Sequence, residues 1–370
     1  MDSKIIEHVL DLAVQIQQIP APTFAEASRA AFLLGCFQGE ERVEVEMDEM
    51  GNVFARLPGR GDAPPVILSA HSDTVFPATT ELQVTRRSGR ITGPGIGDNA
   101  LGLAGLFGIL WALKGQRRGL RGDLWLVANV GEEGLGDLRG MRAVVDRFKT
   151  HSPTFIVLEG MALGQVYHRG LAVRRYRITA HTPGGHSWVD HGEPSAVHEL
   201  AVLVNRLLEL PLPGQPRTTL NIGVISGGYS VNTIAAEAYL ELDLRSEGTQ
   251  SLAELTARVK ALVRKANRPG VQLTVELIGK RPVGELPGHH PLVKLAVQSL
   301  IEAGLQPCLN IGSTDANLPL SEGFPAVCIG LTTGSGAHTL NEYILTRPLT
   351  QGLNHVLAVI EGIDRNTWPK

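Results

Sequence analysis

Cysteine is scarce in this chain of 370 residues, which contains only three cysteines. They are far apart, odd in number and without a CxxC pair, so a disulfide framework is excluded and free thiols of a reducing compartment are predicted. The first residues, MDSKIIEHVLDLAVQIQQI, space their apolar side chains as a helix face rather than as a signal sequence. We therefore expect a cytoplasmic protein without an export signal.

A strong charge of one sign and a long apolar run are also lacking. Lys and Arg number 34 against 37 Asp and Glu, and a net charge of −3 is too small to attract nucleic acid or an anionic membrane. The longest apolar run, residues 100–113, is shorter than the roughly 20 residues that a bilayer-spanning helix needs. We expect a buried helix there, and neither nucleic acid nor a membrane as a partner.

Strand-like apolar runs alternate with helical ones in the first half of the chain. PPVILSA precedes ALGLAGLFGILWALKG, DLWLVANV precedes DLRGMRAVVDRF, and FIVL follows. The same pattern returns near the carboxyl end with PLVKLAVQSLIEAG, FPAVCIGL and PLTQGLNHVLAVIEGI. This order predicts an α/β fold with a mostly parallel sheet flanked by helices.

The pattern changes between these two stretches. AVRRYRITAH, PSAVHELAVLVNRLLEL, TTLNIGVISGG, AEAYLELDLRSE, SLAELTARVKALVRKA and VQLTVELIG follow one another in the order βαββαβ. That order is typical of a ferredoxin-like α+β unit. We therefore predict an α/β domain formed by residues 1–172 and 285–370, interrupted by an inserted domain at 173–284.

Acidic and histidine side chains follow the predicted strands. Ligands of open α/β sheets bind beyond the carboxyl ends of the strands, so these side chains are expected to converge. Several acids at one place repel one another and raise one another's pKa values, which divalent cations resolve. The converging residues are His71, Asp73, Asp98, Glu132, Glu133, Glu159 and His338.

Imidazole and carboxylate together are a ligand set that suits zinc, and the same ligands accept cobalt or manganese. One shared carboxylate would hold two ions at about 3.5–4 Å, as in two-metal hydrolases. Asp73, two residues after His71, can turn back and fix the imidazole tautomer. Of the adjacent Glu132 and Glu133, one can bind metal while the other acts as a general base.

Taken singly, several of these residues have structural explanations. Asp98 fits a helix N-cap, Asp73 a turn, and Glu159 a solvated loop. GIGDNA also matches a dinucleotide-binding fingerprint. We exclude that fingerprint because the preceding TRRSGRITGPG is not a buried strand, and an acid inside the loop would repel pyrophosphate.

As a set, HSDTV, GPGIGDNALG, GEEG, LEG, GGHSW and GAHTLNE resemble the aminoacylase and glutamate-carboxypeptidase family of di-zinc metallopeptidases, over nearly the whole chain. The best match is the peptidase T-like branch. The resemblance implies that Asp98 bridges two zinc ions and that Glu132 is the catalytic base. It places His71 and Glu159 on one ion, and Glu133 and His338 on the other.

The resemblance also implies that the inserted domain is a lid and a homodimerisation domain. From it, His186 would reach the site of the partner subunit and stabilise the oxyanion. Substrate contacts are implied for Asn232, Arg245 and Arg281, and an arginine can clamp a substrate carboxylate. Alternatively, Arg245 and Arg281 only form ion pairs.

We therefore predict a metal-dependent hydrolase that cleaves a terminal peptide bond or an N-acyl amide bond of a small substrate, as a carboxypeptidase or N-acyl-amino-acid deacylase. Glu159 favours this reading, because the tripeptide aminopeptidases of the branch carry Asp at that position. The alternatives are an aminopeptidase or dipeptidase of the peptidase T type, and a metal-binding protein without catalysis.

Overall fold

The computed structural model describes residues 1–61, 63–115 and 119–365, and the chain divides into two compact units. The sheet unit comprises Met1–Gly170 and Gly284–Lys370. The inserted unit comprises Leu171–Val283. Each unit has a hydrophobic core of its own.

The helices of the sheet unit are α1 (Ser3–Gln17), α2 (Ala27–Gln38), α3 (Leu101–Lys114), α4 (Arg139–Phe148), α7 (Pro291–Glu302), α8 (Asn317–Ser321) and α9 (Leu349–Arg365). Those of the inserted unit are α5 (Ala196–Leu208) and α6 (Thr249–Ala266).

The strands up to the inserted unit are β1 (Glu44–Met47), β2 (Val53–Leu57), β3 (Ala63–His71), β4 (Thr85–Arg87), β5 (Arg90–Thr92), β6 (Gly122–Asn129), β7 (Thr154–Glu159) and β8 (Gln165–Gly170). The inserted unit contains β9 (Ala172–His181), β10 (Gly185–His186), β11 (Thr218–Gly227), β12 (Thr233–Ile234), β13 (Glu237–Ser246) and β14 (Gln272–Arg281). The remaining strands are β15 (Cys308–Gly312), β16 (Ala326–Gly330), β17 (Gly334–Ser335) and β18 (Tyr343–Leu345).

An eight-stranded sheet in the order β1-β2-β6-β3-β7-β16-β8-β15 forms the centre of the sheet unit. Its middle strands β6, β3, β7 and β16 are parallel neighbours, so their carboxyl ends meet at one edge. Consecutive residues Ile67 and Leu68 of β3 are both fully buried, which shows that both faces of the sheet are covered. The predicted mostly parallel sheet flanked by helices is confirmed.

The long apolar run forms α3, as predicted. Residues 96–114 have the length and hydropathy of a membrane-crossing helix, but 83% of that window is buried inside the protein. The helix contacts β3, β7, α1 and α9, and its Phe107 stacks on Phe37 of α2 at 4.0 Å between ring centroids. Because α3 is enclosed in this way, its surface can be apolar on every side.

The inserted unit is built on an antiparallel sheet in the order β11-β13-β9-β14. Helices α5 and α6 both pack against β9 and β13, and Ile178, Leu200, Leu240 and Val259 lie in the shared core. This arrangement confirms the ferredoxin-like prediction. A separate two-stranded ribbon, β10 with β12, carries His186.

Candidate functional site

Three strand ends of the parallel sheet bring acidic and histidine side chains together. His71 is the last residue of β3 and Glu159 the last residue of β7. Glu132 and Glu133 follow the end of β6, which pairs with β3 through Asn129 opposite His71. Because these strands are parallel neighbours, the side chains reach the same edge of the sheet.

Asp98 lies in a turn at 96–100, immediately before α3, with a non-helical backbone. Its Oδ1 atom is 3.0 Å from Nε2 of His71, and its Oδ2 atom is 3.0 Å from Nε2 of His338. His338 belongs to the loop between β17 and β18. The two oxygens of one carboxylate therefore face two different imidazoles.

Each imidazole also faces a second carboxylate. Nε2 of His71 is 4.0 Å from Oε2 of Glu159, and Nε2 of His338 is 3.0 Å from Oε1 of Glu133. Donor atoms that share one ion at about 2.0–2.2 Å lie roughly 3–4 Å apart. The side chains thus form two three-donor groups that share Asp98, and this donor set suits divalent cations.

The protonation equilibria of this cluster are strongly perturbed. Hydrogen bonds to Asp98 and Glu133 raise the pKa of His338 to about 10. Burial raises the pKa of Glu159 well above its ordinary value, and the nearby charges of Asp98 and Glu132 add to this effect. Burial also acts to raise the pKa of Asp98, but hydrogen bonds from His338 and His71 outweigh it and lower this pKa. Positive charge is therefore favoured between the carboxylates.

The carboxylate of Asp73 contacts both the imidazole of His71 and the backbone of the two adjacent glutamates. Nδ1 of His71 lies 3.1 Å from the main-chain oxygen of Asp73 and 3.5 Å from its Oδ1. The carboxylate accepts the N–H groups of Glu132 and Glu133, each at 2.9 Å, and the hydroxyl of Thr23 at 2.8 Å. Asp73 therefore holds the backbone of the two glutamates as well as the imidazole.

Glu342 is a residue of the site that the sequence patterns did not single out, although GAHTLNE contains it. Its carboxylate accepts the backbone N–H groups of Gly95, Gly97 and Asp98 at 3.1, 2.7 and 2.8 Å. Burial raises its pKa to about 7, with a further contribution from Asp98. The signal available in the sequence was an acid four residues after His338.

Asn129 and Asp315 were also missed. Nδ2 of Asn129 donates to Oδ2 of Asp315 at 2.7 Å, and both side chains are fully buried. The main-chain oxygen of Asn129 accepts the N–H of Ser72 at 2.7 Å, which links the ends of β6 and β3. The charge of Asp315 contributes to the raised pKa of Glu159. The pair thus supports the same edge of the sheet.

His186 lies in the inserted unit, on the ribbon of β10 and β12. Its Nδ1 atom accepts the N–H groups of Trp188 at 3.2 Å and Val189 at 3.4 Å. The neutral imidazole therefore carries its proton on Nε2, which makes that atom a hydrogen-bond donor. Asn232 is a neighbour on the ribbon, since its main-chain oxygen accepts the N–H of Ser187 at 3.0 Å.

Arg245 and Arg281 lie on one face of the inserted sheet, because both are opposite Val173 of β9. Nε of Arg245 is 2.6 Å from Oδ2 of Asp243, whose Oδ1 is 3.0 Å from Nε of Arg175. Burial lowers the pKa of Arg175, and the positive charge of Arg281 adds to this effect. Three guanidinium groups thus lie near one another around Asp243, and Arg281 itself is buried.

The sheet unit contains seven of the eleven predicted site residues, and the inserted unit contains the remaining four. The seven are His71, Asp73, Asp98, Glu132, Glu133, Glu159 and His338. The four are His186, Asn232, Arg245 and Arg281.

Comparison with known proteins gives one family for most of the chain. The family model described as peptidase family M20/M25/M40 matches residues 67–362. A succinyl-diaminopimelate desuccinylase of Corynebacterium glutamicum is 26% identical over 348 residues, which cover 92% of each chain. A probable carboxypeptidase of Aspergillus terreus is 31% identical over 234 residues, which cover 59% of this chain and 52% of the relative.

Solved structures support the same architecture. A tripeptidase of Staphylococcus aureus has a TM-score of 0.78 at 22% identity and covers 98% of this chain and 99% of its own. The aminopeptidase PepT of Bacillus cereus has a TM-score of 0.76 at 23% identity, with 97% and 98% covered. At these identities the likeness shows the fold.

Proposed function

Because this chain belongs to peptidase family M20/M25/M40, it is a metal-dependent hydrolase of peptide or amide bonds, and we propose that two zinc ions serve its reaction. The observation that carries this proposal is the carboxylate of Asp98, with one oxygen facing His71 and the other facing His338. A carboxylate in that position is suited to bridge two ions. Cobalt or manganese would fit the same donors.

The two three-donor groups would each hold one ion. His71, Asp98 and Glu159 form one group, and His338, Asp98 and Glu133 form the other. When bound, divalent cations supply Lewis acidity, which polarises the scissile carbonyl group and lowers the pKa of water.

Glu132 is proposed as the general base. It would take a proton from the attacking water and return it to the leaving amine. Its side chain is buried, and its backbone N–H is held by Oδ1 of Asp73 at 2.9 Å. A fixed backbone limits the positions that the carboxylate of this base can reach.

His186 is proposed to stabilise the oxyanion from a partner subunit, with the inserted unit serving as a lid and a homodimerisation domain. Support comes from its tautomer, because Nδ1 accepts backbone N–H groups and Nε2 is left as a donor. Asn232, its neighbour on the ribbon, is proposed as a substrate contact.

The proposed substrate carries a free carboxylate. Arg245 and Arg281 lie near Arg175 on one sheet face, where Asp243 pairs with Arg175 and Arg245. Guanidinium groups placed together suit a carboxylate ligand, which they can hold by paired hydrogen bonds. Relatives named as a desuccinylase and as probable carboxypeptidases support a deacylase or carboxypeptidase.

The free thiols of Cys36, Cys308 and Cys328 support a cytoplasmic location.

One dipeptide in three forms tests the polarity of the enzyme. The free dipeptide, its N-acetyl derivative and its carboxyl amide are incubated with the zinc-loaded protein, and product formation is measured. We expect cleavage that tolerates or prefers the acetyl group and is lost when the carboxylate is blocked. Cleavage that requires the free amine would instead establish the aminopeptidase or dipeptidase alternative.

A further inference from the structure

A buried acid holds the turn that carries Asp98. Glu342 is 0% exposed, and its carboxylate accepts three backbone N–H groups of residues 95–98. Oε1 accepts both Gly97 and Asp98, while Oε2 accepts Gly95. Glu342 therefore controls the main chain from which the Asp98 side chain projects.

The opposite side of the same turn is held by Asn99. Its Nδ2 atom donates to the main-chain oxygen of Leu158 at 2.8 Å, and its Oδ1 atom accepts the N–H of Gly160 at 3.2 Å. Leu158 and Gly160 flank Glu159, whereas Glu342 lies four residues after His338. The turn is thus fastened to the segments that carry a carboxylate and an imidazole of the site.

Burial of this carboxylate needs a reason. Within the described parts of the chain, no lysine, arginine or histidine pairs with Glu342, so only backbone dipoles compensate its charge. A buried charge without a countercharge is costly, even with three charge-assisted hydrogen bonds. A glutamine would fill the same space at lower cost, but it would offer one acceptor oxygen instead of two to the three N–H groups.

We propose that Glu342 is a positioning residue, which fixes the Asp98 turn so that the carboxylate of Asp98 stands between His71 and His338 and two divalent cations bind at once. This inference rests on the proposed function, because it takes Asp98 as the shared ligand. Glu342 would act through the backbone of Asp98, whose N–H donates to it, and not as a metal ligand. Residues that orient metal ligands change metal affinity by about 10–100-fold when they are replaced.

Two substitutions separate positioning from charge. Glu342→Asp keeps the charge but shortens the side chain by one methylene, so the carboxylate no longer reaches all three N–H groups. Glu342→Gln keeps the length and the acceptor for Gly97 and Asp98, and removes the charge and the acceptor for Gly95. If the reach of the carboxylate determines metal binding, Glu342→Asp lowers the metal affinity more than Glu342→Gln does.

Cobalt(II) titration of the chelator-stripped full chain, followed by calorimetry and by visible absorption, measures the number of ions and their affinities. We expect two ions in the wild type, a loss of about 10–100-fold in affinity for at least one ion in Glu342→Asp, and a smaller loss in Glu342→Gln. Glu40→Asp is the matched control, since Glu40 accepts side-chain bonds from Trp111 and Lys114 away from the site. It should bind both ions as the wild type does.

Each outcome decides the inference. Wild-type affinity for two ions in Glu342→Asp, or a larger loss in Glu342→Gln than in Glu342→Asp, would overturn it while the proposed function stands. A wild type that binds fewer than two ions would overturn both. If circular dichroism shows that Glu342→Asp is unfolded, Glu342→Gln decides alone: weaker binding of one or both ions supports positioning, and wild-type affinity for both ions contradicts it.

Discussion

Acid sensitivity of the sheet unit should depend on one buried histidine, His355. It lies in α9 and is 1% exposed, with Nδ1 hydrogen-bonded to the hydroxyl of Ser299. Nε2 is buried and has no hydrogen-bond partner among the described residues. Protonation would place a second N–H there without an acceptor, so burial lowers the pKa of His355 to about 4.

The sign and size of the effect follow from linkage. The folded chain binds the proton at about pH 4 and the unfolded chain at the ordinary pKa of 6.5. Stability from the neutral imidazole is therefore complete above pH 6.5 and is lost as the pH falls toward 4. The loss is about 2 kcal/mol at pH 5 and about 3 kcal/mol at pH 4.

Urea denaturation of the chelator-treated protein at several pH values measures this contribution, with His355→Leu as the perturbation. Leucine cannot titrate, and the Ser299 hydroxyl keeps its bond to the main-chain oxygen of Ala296. We expect the free energy of unfolding of the wild type to fall between pH 7 and pH 5 by about 2 kcal/mol more than that of the variant. Parallel pH profiles for the two proteins would refute the reasoning.

Two further predictions concern the metal cluster. Glu132→Ala should retain the metal content and the fold but lower kcat by about 10²–10⁴-fold, because the proposed general base is removed. Turnover near the wild-type level with full metal content would contradict this role. Asp73→Asn should weaken metal binding or activity by about 10–100-fold and lower the melting temperature, because an amide cannot accept from Glu132, Glu133 and Thr23 together. Metal titration measures the first effect and thermal unfolding the second. An unchanged metal affinity would show that Asp73 does not hold this backbone.

Much of the fold was predictable because its central strands and α3 are marked by apolar composition. Continuous buried runs such as Val66–Ala70 identify strands covered on both faces, and the order βαββαβ identifies the inserted sheet. Strands at the margins were missed. The edge strand β15 has exposed and half-buried residues, and β4, β5, β17 and β18 are only two or three residues long. Such segments carry no periodic pattern that a sequence can display.

The convergence of His71 and Glu159 was predictable for a simple geometric reason. Each is the last residue of a parallel strand, so strand order brings them to one edge. The role proposed for Glu342 was not predictable, because its partners are backbone N–H groups of residues 95–98, which are far away in the sequence. Backbone donors have no residue identity, so no pattern of side chains reveals which acid will accept from them.

The backbone that Asp73 holds accounts for the different roles proposed for the adjacent Glu132 and Glu133. Both N–H groups of the pair donate to the Asp73 carboxylate, and Glu133 has an extended backbone, with φ −75° and ψ 148°. Successive side chains of an extended chain point to opposite sides. Glu133 faces His338, at 3.0 Å, whereas the charge of Glu132 acts on Glu159 and raises its pKa. Because consecutive side chains of this segment diverge, the proposed metal ligand Glu133 and the proposed general base Glu132 can be neighbours in the sequence without competing for the same position.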